Sequence, residues 1–459
     1  MDGQYDLLVI GGGPAGYEAA LTGARLGLRT ALAEAATLGG TCLNRGCIPT
    51  KLFLGVTSAI EELAAQSRLK LASGAVHVDL GALQARKERL LAGSRKAMVE
   101  VLKKAGVDVF TGQARLAPGK TARIAAGGGK TIAGFSKCIL ATGSRPGYPA
   151  SLAPDGRFVL DSDAVLELET APQSLMIVGS GAIGLEMAEI FSRLGTNVTL
   201  VEAAQRLAPL EDQEIGLALA QHFKRKGVTV LTGIKAAGIA SHEDRARLVL
   251  ENGEEFFADK ALIATGRSPN SAGLGLEECS VPMTNAGFIA TDDCLLAAPD
   301  VYAVGDVNGR CLLAHAASHQ AAYAAGHAAT VLAGHQARPY DTGVIPSCIY
   351  GGVEVMRAGA TAEELTRAGV EFSVSRASMA ANPMAQAHGQ TVGLVKALWT
   401  GDRVAGLTAL GYNASTLATP AAMIVAAGWT RNDAERFVFP HPSLDEALRE
   451  ALLATAARP

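Results

Sequence analysis

The sequence predicts an α/β chain: two doubly wound β-α-β units followed by a C-terminal α+β domain. Three observations carry this expectation. Two glycine clusters, Gly11-Gly12-Gly13-Pro14-Ala15-Gly16 and Gly179-Ser180-Gly181-Ala182-Ile183-Gly184, each follow an apolar run and precede an Ala/Leu-rich helical stretch. In both units an acid, Glu34 or Glu202, closes the next apolar run 23 residues after the first glycine. From about Tyr340 the texture changes to alternating strands and then helices, with no further fingerprint.

In chain order, Asp6 to Ile10 and Leu175 to Val178 read as the strands that open the two units. A first glycine makes the turn, a second lets the backbone approach a pyrophosphate, and the following helix N-terminus faces its charge. One such cluster is weak evidence; two with the acid in register make both units Rossmann-like dinucleotide sites. Glu34 and Glu202 then take ribose hydroxyls. Glu202-Ala203-Ala204 offers a carboxylate where a 2′-phosphate site would place Arg, so the second unit favours NAD over NADP, with Arg206 nearby as the contrary feature. Leu54 to Ala65 and Leu80 to Ala105 have helical apolar periodicity, and Val107 to Thr111 reads as a return strand. Ile139 to Gly143, Leu262 to Gly266 and Val301 to Asp306 are strand ends facing a ligand. In the last domain, Gly393 to Trp399 and Arg403 to Leu410 read as strands, Ala414 to Ala427 and Ser443 to Ala456 as helices.

Composition excludes other classes. At roughly 100 to 200 residues per domain, 459 residues hold about three domains. With 41 Lys+Arg against 44 Asp+Glu there is no basic field for nucleic acid. Apolar runs such as Ala421 to Gly428 fall well short of the ~20 residues a membrane span needs. A strand so close to Met1 leaves no room for a signal peptide, so the expected compartment is the cytoplasm. Of seven Cys, five lie far apart, and Cys42 and Cys47 form the one close pair.

The segment Gly39-Gly40-Thr41-Cys42-Leu43-Asn44-Arg45-Gly46-Cys47-Ile48-Pro49-Thr50-Lys51 is the chemical centre. Five residues of regular helix rise about 7.5 Å, beyond the ~7 Å Cα limit of a disulfide. A bonded pair therefore needs a break, for which Asn44 and Gly46 are the candidates; two ordinary buried thiols are the alternative. A metal is not expected, because no second Cys or His pair stands nearby. Pro49 suits a first helical turn, whose dipole would make Cys47 the better thiolate. Near the other end, Phe439-Pro440-His441-Pro442-Ser443-Leu444-Asp445-Glu446 sets a histidine five residues before an acid, the pairing that orients an imidazole as a base for a dithiol.

With these residues assembled, the chain resembles the flavin-dependent pyridine nucleotide-disulfide oxidoreductases, and most closely their dihydrolipoamide dehydrogenase branch, from about residue 5 to residue 452. The resemblance implies an FAD-binding domain with the redox disulfide over 1–145, an NAD-binding domain over 146–266, a central segment completing the FAD domain over 267–338, and an interface domain over 339–459 that makes a homodimer. It assigns to FAD the residues Gly11, Gly13, Pro14, Ala15, Gly16, Glu34, Gly40, Thr41, Lys51, Ala114, Thr142, Gly143, Ser144, Asp306, Leu313, Ala314 and His315. To NAD it assigns Gly179, Gly181, Ala182, Ile183, Gly184, Glu202 and Gly266. Lys51 is implied to lie beside the flavin and to pair with Glu186. Ala182 stands where glutathione reductases carry a Tyr over the flavin.

The implied chemistry is oxidation of protein-bound dihydrolipoamide with reduction of NAD. His441 of the partner subunit, oriented by Glu446, deprotonates the dithiol; its thiolate attacks Cys42; Cys47 then faces the flavin. A lipoyl-carrying protein is the implied partner. Alternatives are an NAD(P)H-dependent reductase of a glutathione-like or other disulfide, and a flavin- and NAD-binding sensor without turnover. Three departures from the family pattern leave the docking carrier open. Tyr350-Gly351-Gly352-Val353-Glu354 replaces an aromatic-Thr-His-Pro-Glu run, Ala316 stands where a Lys is common, and Gln320 where an acid is common.

Overall fold

The computed structural model of the chain describes residues 3–126 and 129–458. The chain falls into two compact units, the first comprising Met1–Pro49, Gln84–Gly147 and Gly266–Thr342. Its sheet runs Leu296–Ala298, Val301–Ala303, Gly129–Leu140, Gly3–Ile10, Thr30–Glu34, Asp108–Thr111. Gly3–Ile10 pairs in parallel with both Thr30–Glu34 and Gly129–Leu140. Leu7, Leu8 and Val9 are fully buried, as a central parallel strand covered on both faces must be, and this explains a continuous apolar run in place of an alternating one.

Helix Pro14–Arg25 starts with a proline whose missing N–H costs nothing in a first turn. It buries a face of Ala15, Gly16, Ala19, Ala20 and Gly23 and packs on helix Ala314–Leu332, which contributes Ala317, Ala321 and Ala324 to the same core. Small residues bring these backbones close to the sheet: a Cβ at Gly23 would meet Leu7 Cδ2 at 2.6 Å.

The second unit comprises Thr50–Leu83, Tyr148–Thr265 and Gly343–Pro459. It holds a parallel sheet in the order Thr229–Thr232, Asn197–Glu202, Ser174–Val178, Lys260–Ile263, Val159–Leu160, and an antiparallel sheet in the order Ser347–Ile349, Glu354–Gly359, Arg403–Gly411, Leu394–Thr400, Ser373–Ser378. On the latter lies helix Asp445–Leu453, with Ala447, Leu448, Ala451 and Leu452 all fully buried. Each of the two leucines contributes roughly 1.5–3 kcal/mol by leaving water, which fixes the helix that carries Glu446. This helix is shorter than the Ser443 to Ala456 span the pattern suggests. Ser443 is held instead in the preceding turn, its hydroxyl donating to Pro440 O at 2.7 Å and its N–H to Glu446 Oε2 at 3.0 Å. Likewise Ala414 to Ala427 divides into a tight turn, Ala414–Leu417, which Asn413 enters with φ 47°, and helix Ala418–Ala426. Among the described residues no helix is long and apolar enough to cross a membrane.

Candidate active site

Gly39 (φ 100°) and Gly40 (φ 55°) lead into a short helix, Gly40–Arg45, which holds Cys42 half-buried. A Cβ at Gly40 would stand 2.7 Å from Gly13 Cα, so this segment lies against the first fingerprint. The short helix ends at Gly46 (φ −138°, ψ −111°), and an exposed Cys47 opens helix Cys47–Arg68. The break therefore falls on Gly46 and not on Asn44. Asn44 Nδ2 donates to Leu38 O at 3.0 Å and Gly40 O at 2.9 Å, and its Oδ1 accepts from Arg95 at 3.0 Å, so this side chain closes the short helix rather than interrupting it. Nothing in the local sequence pointed to Arg95, which comes from helix Leu80–Lys104.

One turn after Cys47 along the same helix, Lys51 Nζ donates to both oxygens of Glu186, at 2.8 and 2.6 Å. Glu186 is buried in helix Ala182–Arg193, and Lys51 is partly exposed. Burial pushes the Glu186 carboxyl up, against the opposing pull of the Lys51 ammonium. Two further contacts come from Tyr350: its N–H donates to Glu186 Oε1 at 3.2 Å, and its ring lies 4.2 Å beneath Lys51 Nζ. The pair is thus held from the first strand-end of the C-terminal domain, at the aromatic position that the sequence retains before Gly351.

The two fingerprints have nearly the same geometry. Gly11 and Gly179 have φ of 106° and 105°, and a Cβ on either would stand 2.4 Å from a carbonyl, Ala141 O or Ala264 O. Gly16 and Gly184 press on the carbonyls of Gly11 and Gly179, where a Cβ would come within 1.7 and 1.9 Å. The middle glycines are different: a Cβ on Gly181 meets nothing within 4 Å, and one on Gly13 meets Gly40 Cα at 3.7 Å. Space is kept in front of the backbone at each helix N-terminus, beside Pro14 and Ala15 or Ala182 and Ile183, and it fits a pyrophosphate. Ala182 is exposed. Glu34 accepts from Gly12 N at 2.6 Å and Ala36 N at 2.8 Å. Glu202 accepts from Ser180 N at 2.8 Å, Ser180 Oγ at 2.7 Å and Ala204 N at 2.7 Å.

Other residues of the first unit gather around the strand ends. Thr142 Oγ1 donates to Asn270 O at 2.8 Å, while Asn270 returns Nδ2 to Thr142 O at 3.0 Å; Gly143 O accepts from Asn270 N at 2.9 Å. Thr41 Oγ1 reaches Ser144 O at 3.4 Å. Ser144 Oγ donates to Asp306 and accepts from Arg267 Nε at 2.6 Å, and Arg267 stands 3.6 Å from Asp306. Arg267 and Asn270 were missed by the sequence reading, although they stand one and four residues after Gly266 at the end of an Ala-Thr-Gly strand. The Gly266 carbonyl accepts from Gly147 N at 3.0 Å. Ala114 is buried inside strand Gln113–Ala117. Leu313 caps helix Ala314–Leu332, with Ala314 half-buried and His315 exposed at its start.

Gln320, where an acid is common, is fully buried, and its Oε1 accepts from Gly305 N at 2.9 Å and Asn308 Nδ2 at 2.8 Å. The amide keeps the acceptor without the charge. Gln320→Leu would orphan two buried donors at about 1–3 kcal/mol each. The expected result is a loosened Gly305-Asp306 turn and a several-fold faster loss of FAD on dialysis; unchanged retention would show that the turn holds itself.

At the C-terminal end, His441 Nδ1 lies 2.9 Å from Glu446 Oε1. The hydrogen bond from His441, followed by that from Ser443 N, holds the Glu446 carboxyl below its usual range. With Nδ1–H donated to a carboxylate, Nε2 carries the free lone pair. The imidazole is 72% exposed in the single chain, so it is presented outward rather than enclosed.

Comparison with known proteins gives one answer at three levels. The sequence pattern described as pyridine nucleotide-disulphide oxidoreductase matches residues 5–321, and its dimerisation domain matches residues 345–452. The chain is 37% identical to a dihydrolipoyl dehydrogenase of Chlorobaculum tepidum, over 98% of this chain and 96% of that one. It is also 37% identical to a dihydrolipoyl dehydrogenase of Thermus scotoductus, over 97% and 96% of the two chains. Among solved structures it is similar to LpdA from Mycobacterium tuberculosis (TM-score 0.88, 26% identity, 97% of this chain and 98% of that one). It is also similar to the HOCl-induced flavoprotein disulfide reductase RclA from Escherichia coli (TM-score 0.84, 28% identity, 98% and 99%).

Proposed function

Because the chain belongs to the pyridine nucleotide-disulphide oxidoreductases, we propose that it oxidises protein-bound dihydrolipoamide to lipoamide and reduces NAD, as an FAD-containing dihydrolipoyl dehydrogenase. The observation that carries this reading is the redox segment: Cys42 and Cys47 on either side of the Gly46 break, one turn before a lysine paired with buried Glu186.

Oxidation begins with a proton moving from a substrate thiol to His441 Nε2, helped by the carboxylate of Glu446 on Nδ1. The substrate thiolate attacks Cys42 Sγ of a Cys42–Cys47 disulfide; the S–S bond breaks and Cys47 leaves as a thiolate, favoured at the start of its helix. The second substrate thiol then displaces Cys42 from the mixed disulfide, closing the lipoamide ring and leaving the cysteine pair reduced by two electrons. FAD, when bound by the first fingerprint, Glu34, Asp306 and the residues around them, supplies the two-electron path from the dithiol to NAD. Lys51 is held in a fixed orientation by Glu186 and Tyr350. Glu202 takes the ribose hydroxyls of NAD.

The reading includes a homodimer, supported by the dimerisation domain, in which the exposed His441 of one chain serves the cysteines of its partner. It also includes a lipoyl-carrying protein as substrate and a cytoplasmic location, a reducing compartment suited to scattered thiols such as Cys138. The test is NADH formation from NAD and dihydrolipoamide by the purified yellow protein, with NADP and glutathione controls. Rapid NADH formation is expected; preferential reduction of glutathione disulfide by NADPH would replace the reading. A second expectation is that Glu446→Gln lowers lipoamide turnover about 10²- to 10⁴-fold, the range of a lost general base. NADH oxidation by ferricyanide, which needs no thiol, should persist in that variant. Equal losses in both assays would assign Glu446 to folding alone.

A further inference from the structure

The strand that ends in Glu202 is followed by a loop whose one basic residue up to Glu211 is Arg206. An arginine near this position is the usual partner of an NADP 2′-phosphate. Here its guanidinium is occupied elsewhere. Arg206 Nη2 donates to Glu211 O at 3.0 Å and Pro209 O at 3.3 Å, and stands 3.1 Å from Glu363 Oε1. Glu363 comes from helix Ala362–Arg367, far along the sequence, and the same oxygen accepts from Gln213 N at 2.9 Å, the first residue of helix Gln213–Arg225. Gly216 in that helix leaves room for the arginine to lie flat: a Cβ there would come within 3.1 Å of Arg206 Cδ and 2.4 Å of Leu207 O.

On the other side of the site, Glu202 is prepared for ribose. Both fingerprint acids accept backbone N–H groups in the same way, but only Glu202 also takes a hydroxyl, that of Ser180. The corresponding position in the first unit has no room for one, since a Cβ at Gly12 would stand 2.7 Å from Leu38 Cδ2. Three donors fix the direction of the buried carboxylate, and a carboxylate so placed repels a 2′-phosphate.

We propose that nucleotide choice in this protein is enforced by two devices: Ser180 fixes the Glu202 carboxylate for ribose, and Glu363 withholds Arg206 from the position of a 2′-phosphate. Glu363 is a specificity residue that touches no nucleotide; it acts by keeping the arginine turned into its own loop. The inference rests on the reading of the second fingerprint as the NAD site.

The test is binding, read by fluorescence of NADH and NADPH on the flavin-loaded dimer whose flavin has been reduced beforehand, so that no hydride leaves the nicotinamide, in four proteins: wild type, E202A, E202A/E363Q and E202A/E363Q/R206A. Glutamine at 363 keeps an oxygen for Gln213 N and removes the charge that holds Arg206. E202A should weaken NADH binding. E202A/E363Q should bind NADPH about tenfold more tightly than E202A, the worth of one charge-assisted contact, and R206A should erase that gain. Equal NADPH affinity in E202A and E202A/E363Q, or a gain that survives R206A, overturns the proposal. If E202A leaves NADH binding unchanged, the fault lies in the reading of the site, and the proposal falls with it. Should the double variant lose FAD, the Kd ratio of NADPH to NADH in wild type and E363Q decides; a ratio constant within about twofold overturns it.

Discussion

Replacing Cys47 with Ser should leave a folded, FAD-loaded protein whose turnover of dihydrolipoamide is lower by on the order of a thousandfold or more, as for loss of an essential nucleophile. The reason is chemical rather than structural. Cys47 is exposed at the first residue of a 22-residue helix, where the helix dipole favours the thiolate and a hydroxyl of nearly the same size fits. Serine cannot form or leave from a disulfide. Stopped assays of NADH formation, set beside NADH oxidation by ferricyanide, separate the thiol half of the reaction from the nucleotide half. The first should vanish and the second persist. Retention of full lipoamide turnover would remove the cysteine pair from the chemistry. A companion measurement uses the order of attack: after reduction of the FAD-loaded protein at neutral pH, iodoacetamide should label Cys42, the sulfur that the substrate reaches, faster than Cys47, which faces the flavin, and Cys47 labelled first would reverse that order.

The parts of this molecule that were legible in the sequence are those fixed by local backbone geometry. A glycine with φ near 105° at Gly11 and Gly179, and a glycine pressed on its carbonyl five residues later, leave a pattern that no other residue can write. The acid at each strand end and the Gly46 break belong to the same class. What spacing could not reveal is which distant side chain completes each group. Lys51 and Tyr350 meet across the chain, as do Arg206 and Glu363, or Ser144 and Arg267. Departures from a family pattern were legible as departures, yet their meaning was not. Gln320 preserves an acceptor for Gly305 and Asn308. Gly351 and Gly352, flagged as bearing on the docking carrier, face an internal ion cluster: a Cβ on Gly352 would stand 2.8 Å from Glu189 Oε1 and 3.2 Å from Arg193.

That cluster gives the largest expected stability effect. Glu189, one turn after Glu186 in helix Ala182–Arg193, is 2% exposed in its side chain and meets Arg193 at 3.0 Å, His222 at 3.0 Å and Lys226 at 2.5 Å. Glu61 joins two of these three, Arg193 and Lys226. Burial alone would raise the Glu189 carboxyl, but the hydrogen bond from His222 and the charges of Lys226 and Arg193 outweigh it and hold the group well below the usual carboxylate range. Glu189→Gln leaves buried cations short of a counter-charge, a loss of about 3–5 kcal/mol and, in a chain of this size, roughly 3–5 °C in Tm. An exposed pair such as Arg25 with Glu18 should show almost nothing on the same exchange. The pH dependence has a definite sign. A carboxyl depressed in the folded state contributes its stability above the unfolded value of about 4.3 and loses it as pH falls below that toward the folded value. The gap in Tm between wild type and Glu189→Gln should therefore be full at pH 7 and narrow progressively below about pH 4.5. A gap of the same size at both ends of that range would mean that the shape of the side chain, rather than its charge, holds the cluster beneath Gly351 and Gly352.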